Sequence, residues 1–168
     1  MKNSLATLSP EFNTGRMVRE YTQRFYIPSA EWMLKMMEND YAHAINLAKW
    51  RSRLYRNWAT IRFDAVDQAS PDKLTVGNQL EIRATVRLGE LSPEDVEVQL
   101  YSGRIDGHGQ LTQTQAVPME IIHTNSHVHL FKGAVPCTRT GIHGYGVRVV
   151  PKNPDLPNQY APGLILWA

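Results

Sequence analysis

The sequence predicts an α+β chain in which N-terminal helices, one of them long, precede an antiparallel immunoglobulin-like or fibronectin-like β-sandwich of about seven strands. Three observations carry this expectation. Gly15 is the only glycine before Gly77, and eight of the ten prolines lie beyond residue 57, so helix breakers are sparse early and frequent late. Apolar residues recur at helical spacing in the first third and at a period of two from about Thr60 onward. No strand–helix alternation follows that change, which argues against a parallel sheet with crossover helices. Charge divides at the same place: residues 1–57 hold nine Lys/Arg against five Asp/Glu, and residues 58–168 hold nine against eleven. The expected organisation is therefore a helical segment, 1–57, and a β-sandwich domain, 58–168.

The first helix is expected to start after Asn13 or Thr14, either of which can accept a hydrogen bond from an orphan N–H of the opening turn. Met17, Val18, Tyr21, Phe25 and Tyr26 give it an apolar face, and Pro28 is expected to end it. Ser29 is suited to cap a second helix over residues 30–56, which has no interior glycine or proline. Leu34, Met37, Tyr41, Ala44, Ile45 and Ala48 form one stripe along it; Met33, Met36, Leu47, Trp50, Leu54 and Trp58 form another. A helix apolar over so much of its circumference needs cover on more than one side, and one short helix plus one sheet surface cannot supply it. The expected cover is a segment missing from this chain, or a second copy meeting this one through the helical segment.

Period-two runs then mark half-buried strands at Ile61 to Ala65, Leu80 to Leu88 and Val96 to Leu100. Less regular ones follow at Val117 to Ile122, His127 to Val135, Gly144 to Val150 and Leu164 to Trp167. The joins carry turn chemistry, as at Ser70-Pro71-Asp72, Val76-Gly77-Asn78, Asp106-Gly107-His108-Gly109 and Pro151-Lys152-Asn153-Pro154. Ser92-Pro93-Glu94-Asp95-Val96 reads as a turn leading into an edge strand.

At 168 residues, 42% of them apolar, the chain can bury a core, and a net charge of +2 removes the electrostatic case for nucleic-acid or polybasic membrane binding. No run approaches the roughly 18 apolar residues of a membrane span, and Met1 to Leu5 lacks the apolar heart of a signal peptide, so the expected location is the cytoplasm. Cys137 is the only cysteine, which excludes an intrachain disulfide and a cysteine metal cage. No phosphate-binding glycine loop occurs.

Candidate chemistry is thin. His123, His127 and His129 form the best histidine cluster, but no carboxylate is placed to complete a zinc site, and strand histidines are the expectation. Asp106 and His108 share a glycine turn that reads as a hairpin rather than an acid–base pair. Cys137 and His143 have the residue types of a nucleophile and base without the context of one. Trp58, Tyr101, Phe131, Tyr145, Tyr160 and Trp167 could stack against sugar rings if exposed, although most are expected in the core. Arg51, Arg53 and Arg56 read as a solvated or subunit-contacting face.

Several stretches together resemble one family. Phe12-Asn13-Thr14-Gly15-Arg16-Met17-Val18-Arg19-Glu20-Tyr21 and Arg24-Phe25-Tyr26-Ile27-Pro28, with Met1 to Leu8 before them, are similar to the last helices of the catalytic domain in bacterial and archaeal α-glucan phosphorylases. Leu88-Gly89-Glu90-Leu91-Ser92-Pro93-Glu94-Asp95-Val96, the stretch from Val135 to Tyr145, and the ending Gly163-Leu164-Ile165-Leu166-Trp167-Ala168 resemble the β-rich C-terminal extension of the same enzymes. The resemblance implies a C-terminal piece of an enzyme that phosphorolyses α-1,4-glucan to glucose 1-phosphate, with pyridoxal phosphate as cofactor of the full-length parent. That family holds its cofactor through a lysine motif absent here, and none of Lys2, Lys35, Lys49, Lys73, Lys132 or Lys152 stands in a matching context. No catalytic, cofactor-binding or metal residue is therefore expected in this chain, which should fold and be inactive alone. A sandwich that binds α-glucan without catalysis, and a self-associating domain, are the competing expectations.

Overall fold

The computed structural model describes residues 12–69 and 74–168; the stretch Met1 to Leu8, the turn at Ser70-Pro71-Asp72, and Lys73 lie outside the described residues. The chain divides into two compact units with the boundary between Ala48 and Lys49.

In the first unit, helix α1 spans Thr14–Tyr21, with the Asn13 side chain accepting from the Arg16 N–H at 2.7 Å as the sequence suggests. Pro28 does not end the helical path. A π-turn at Thr22–Tyr26 widens the helix just before it, with the Ile27 N–H reaching the Thr22 carbonyl, and α2 then runs over Ile27–Asn57. The wider turn accommodates a proline, which lacks an N–H and would clash with the carbonyl four residues back. Helix α2 is interrupted rather than continuous: Asn39, Asp40 and Tyr41 adopt φ of 50°, 52° and 63° after an extended Glu38. Asn and Asp visit this left-handed region more readily than other non-glycine residues, so the break falls where the sequence resists it least despite having no glycine.

The second unit contains the last turns of α2, a 3₁₀ turn at Trp58–Thr60, and two four-stranded antiparallel sheets, eight strands among the described residues. Strands β1 (Arg62–Gln68), β2 (Gln79–Arg87), β6 (Val128–Pro136) and β5 (Glu120–Asn125) form one sheet in the order β1-β2-β6-β5. The order in the other is β4-β3-β7-β8, from β4 (Leu111–Pro118), β3 (Val96–Ile105), β7 (His143–Pro151) and β8 (Leu166–Trp167). Ile82, Ala84 and Val86 of β2, Val98 and Leu100 of β3, Phe131 and Val135 of β6, and Val147 and Val149 of β7 make the core. The sheets approach closely at Gly133, where an added Cβ would lie 2.8 Å from Met119 Cγ and 3.2 Å from Leu100 Cβ.

Three strand expectations need correction. Val117 to Ile122 is two strands: β4 ends at Pro118, which has no N–H for the ladder, and the chain crosses to the other sheet as β5. Met119, buried at the crossing, donates its N–H to the Val98 carbonyl at 2.8 Å. In β1 a bulge between Phe63 and Ala65 shifts the alternation, so Phe63 and Val66 are half-buried while Ala65 is exposed. The strand entered through Ser92 to Val96 is central, hydrogen-bonded to β4 and β7, and not an edge.

Candidate functional site

The most tightly organised polar cluster grows from the segment Ser92-Pro93-Glu94-Asp95. Ser92 caps the 3₁₀ turn Pro93–Asp95, and Asp95 returns a carboxylate oxygen, Oδ2, to the Ser92 N–H at 2.8 Å. The other oxygen, Oδ1, accepts from Trp50 Nε1 at 2.8 Å and from Arg53 Nη2 at 2.6 Å. Asp95 is 5% exposed and Trp50 8%, so this carboxylate serves the end of α2 inside the second unit. Leu54, fully buried, lies one turn on, and the Tyr55 hydroxyl donates to the Pro162 carbonyl at 2.6 Å. Of the three arginines expected on a solvated or subunit-contacting face, Arg53 is an ion-pair partner, Arg51 lies over the Tyr55 ring at 5.9 Å, and Arg56 donates to the Ser52 carbonyl.

A second cluster lies on the outer face of the β4-β3-β7-β8 sheet. Arg148 on β7 is cross-strand to Gln99 of β3 and to Trp167 of β8. Its guanidinium carbon stands 4.8 Å from the Tyr101 ring centroid, 5.4 Å from Trp167 and 5.6 Å from Tyr160. Nε donates to Gln99 Oε1 at 2.8 Å and Nη2 to the Tyr160 hydroxyl at 2.9 Å. Tyr101 meets Trp167 edge to face at 5.4 Å, and its hydroxyl donates to Thr114. The side-chain amide of Gln99 donates to both Glu97 and Gln159. Arg148 itself is buried, yet Tyr160 is 46% and Trp167 48% exposed. The expectation that most of the six aromatic residues are core is overturned. Phe131 alone among them is buried; Trp58 and Tyr101 are intermediate, and Tyr145, Tyr160 and Trp167 are exposed. Strand alternation places a residue on a face but leaves open whether anything covers that face.

The remaining sequence candidates do not converge. Among the described residues, no three His, Cys, Asp or Glu side chains gather as a metal site. His129 is buried on β6, its Nδ1 3.2 Å from the Thr124 hydroxyl, while His127 sits exposed in the β5–β6 turn. Burial first, and the neighbouring His127 second, push the His129 pKa below its usual value. Asp106 Oδ1 accepts from the N–H groups of His108 and Gln110, each at 2.9 Å, which is turn chemistry. Cys137 and His143 both line an open cleft of about 1030 Å³ with Arg104, Arg139 and Tyr145. No acidic side chain among the described residues lines it.

In the first unit the stripe through Leu34 is largely exposed, and Met33 of the other stripe with it. Leu34 is 61% exposed, and Met33, Met37, Tyr41 and Ile45 are exposed with it, while Met36 and Leu47 are buried. Phe12, Met17, Val18, Tyr21, Phe25 and Tyr26 add further exposed apolar surface.

Sequence reasoning missed two residues that matter. Asp95 carried a readable local sign, a Ser three residues ahead of an acid at a turn, but its Trp50 and Arg53 partners are more than forty residues away. Arg148 interrupts the apolar run Val147 to Val150, and a cation within such a run is itself a signal.

Comparison with known proteins gives a family. A family model described as glycogen phosphorylase C-terminal domain matches residues 58–168. The chain is 34% identical over 172 residues to glycogen phosphorylase of Mycobacterium tuberculosis and, to the same degree, of Mycobacterium bovis, covering 100% of this chain and 20% of each relative. It is 26% identical over 178 residues to maltodextrin phosphorylase of Thermococcus litoralis, covering 99% of this chain and 20% of that protein. The chain thus spans about a fifth of the length of the curated relatives it matches.

Proposed function

The chain belongs to the glycogen phosphorylase C-terminal domain family, and from that premise we propose that it is the C-terminal region of an enzyme releasing glucose 1-phosphate from α-1,4-glucan by phosphorolysis. Its own part is assembly rather than chemistry. The helical segment 1–57 docks on the catalytic domains of the cytoplasmic parent, and the β-domain 58–168 is held to the end of that segment by Asp95.

The observation that carries this reading is the split in apolar exposure along α2. Trp50 and Leu54 are covered within the second unit, whereas Leu34, Met37, Tyr41 and Ile45 are left to solvent. Large apolar side chains left open at this many positions mark a contact made by another body.

Pyridoxal phosphate, the cofactor of the parent enzyme, supplies there the acid–base group for phosphate. Neither Lys132 nor Lys152 fits it. Lys132 Nζ is engaged by Glu81 Oε2 at 2.8 Å, a contact that holds the Glu81 carboxyl below its usual range. No described lysine lines the large cleft, and Lys152 borders only a depression of about 110 Å³.

Oxidative footprinting of the exposed methionines Met17, Met33 and Met37 tests the docking. We expect them to be labelled readily in the isolated chain and protected in the full-length enzyme, with buried Met36 slow in both. Equal labelling in both overturns the proposal. Protection in the isolated chain that grows with concentration overturns it too, in favour of self-association. The isolated chain should also release no glucose 1-phosphate from α-glucan and phosphate.

A further inference from the structure

The outer face of the β4-β3-β7-β8 sheet has chemistry that anchoring the helix does not use. We infer that the surface framed by Trp167, Tyr160 and Arg148 is a non-catalytic binding face for an α-glucan chain. The choice of α-glucan rests on the phosphorylase reading; the existence of a sugar-binding face does not.

Trp167 and Tyr160 each leave nearly half their surface in water although both stand against the same guanidinium. A packing role would be served as well by buried rings, and a large amphipathic ring kept half open is the form that stacks on the apolar face of a sugar. The rings are held rigidly. Arg148 is fixed by Gln99 and Tyr160, Trp167 lies over the bare backbone of Gly146, where an added Cβ would be 3.4 Å from its ring, and Tyr101 props its edge. A surface fixed in advance loses little side-chain entropy when a ligand arrives.

Charge favours a neutral polyhydroxyl ligand over an anion. Arg148 already spends Nε and Nη2 on neutral partners and covers its faces with aromatic rings. The Glu97 carboxylate is one hydrogen bond away through Gln99, which leaves the patch close to neutral. Gln159, Thr114 and the tyrosine hydroxyls border the patch with the mixed donors and acceptors that sugar hydroxyls need.

The test titrates maltoheptaose into the 168-residue chain while following tryptophan fluorescence, with retardation in a gel containing soluble glycogen as a second readout. We expect a saturable response at millimolar sugar and retardation of the chain, both weakened at least tenfold in Trp167→Ala with an unchanged melting curve. Tyr160→Ala should act in the same direction. No saturable response in the native chain, or undiminished binding by Trp167→Ala, overturns the face. Cellohexaose bound as tightly as maltoheptaose overturns the α-glucan assignment while leaving a sugar-binding face. Because no phosphate or cofactor enters the measurement, its result is separate from whether the parent enzyme is a phosphorylase.

Discussion

Replacing Asp95 with alanine removes one carboxylate that answers three donors in the second unit. The Trp50 indole N–H, 2.8 Å from Oδ1, is buried and has no room to turn toward water, so leaving it unanswered costs about 1–3 kcal/mol. Losing the bond to the Ser92 N–H removes a turn cap worth roughly 1 kcal/mol. Arg53 is 47% exposed and can rotate into solvent, so its share is discounted to about 0.5 kcal/mol. The sum is about 2.5 to 4.5 kcal/mol, which for a unit of this size lowers Tm by on the order of 12 °C. Differential scanning calorimetry measures the shift, and a red-shifted Trp50 emission should accompany it. Trp50→Phe withdraws the donor without emptying the site, so the pair Trp50→Phe and Asp95→Ala should be less costly together than the two separate losses, by about 1–2 kcal/mol. A Tm within 2 °C of wild type for Asp95→Ala, or strict additivity in the double variant, would refute the view that this carboxylate holds the end of α2 on the sandwich.

Leu54→Ala, at a fully buried position, should cost about 2–5 kcal/mol in urea unfolding, and a loss below 1 kcal/mol would mean the site collapses around the deletion. Gly133→Ala should destabilise by roughly 1–3 kcal/mol, because its Cβ would meet Met119 and Leu100 inside van der Waals contact; an unchanged urea midpoint would contradict the close sheet approach. His129 has a folded pKa below its unfolded one, so the unfolded chain binds the proton more readily. Its contribution is complete above the unfolded pKa of about 6.5 and is lost as pH falls toward the folded value. Melting temperature should therefore fall less on acidification from about pH 7.5 to 5.5 in His129→Gln than in wild type, and equal slopes would count against it.

Much of the architecture was legible in the chain itself. The change of period at Thr60 separates helix from sheet, Asn13 announces the start of α1, and the alternation of Leu80 to Leu88 places Ile82, Ala84 and Val86 in the core. These are local signals, readable because a helix and a strand each impose a fixed spacing on the residues that face inward. The failures came where spacing does not decide. Val117, Met119 and Ile121 alternate without interruption, yet the chain changes sheets among them, because Pro118 ends one ladder and Met119 donates its N–H to the Val98 carbonyl. Pro28 reads as a stop, but a π-turn carries the helix past it. Tyr101, Tyr160 and Trp167 read as core and stand instead around Arg148, with Tyr160 and Trp167 exposed. Asp95, Trp50 and Arg53 become one site only when the end of α2 meets the turn before β3. Burial and long-range hydrogen bonding depend on what lies across a face, and no sequence period records that, so tertiary structure alone decided them.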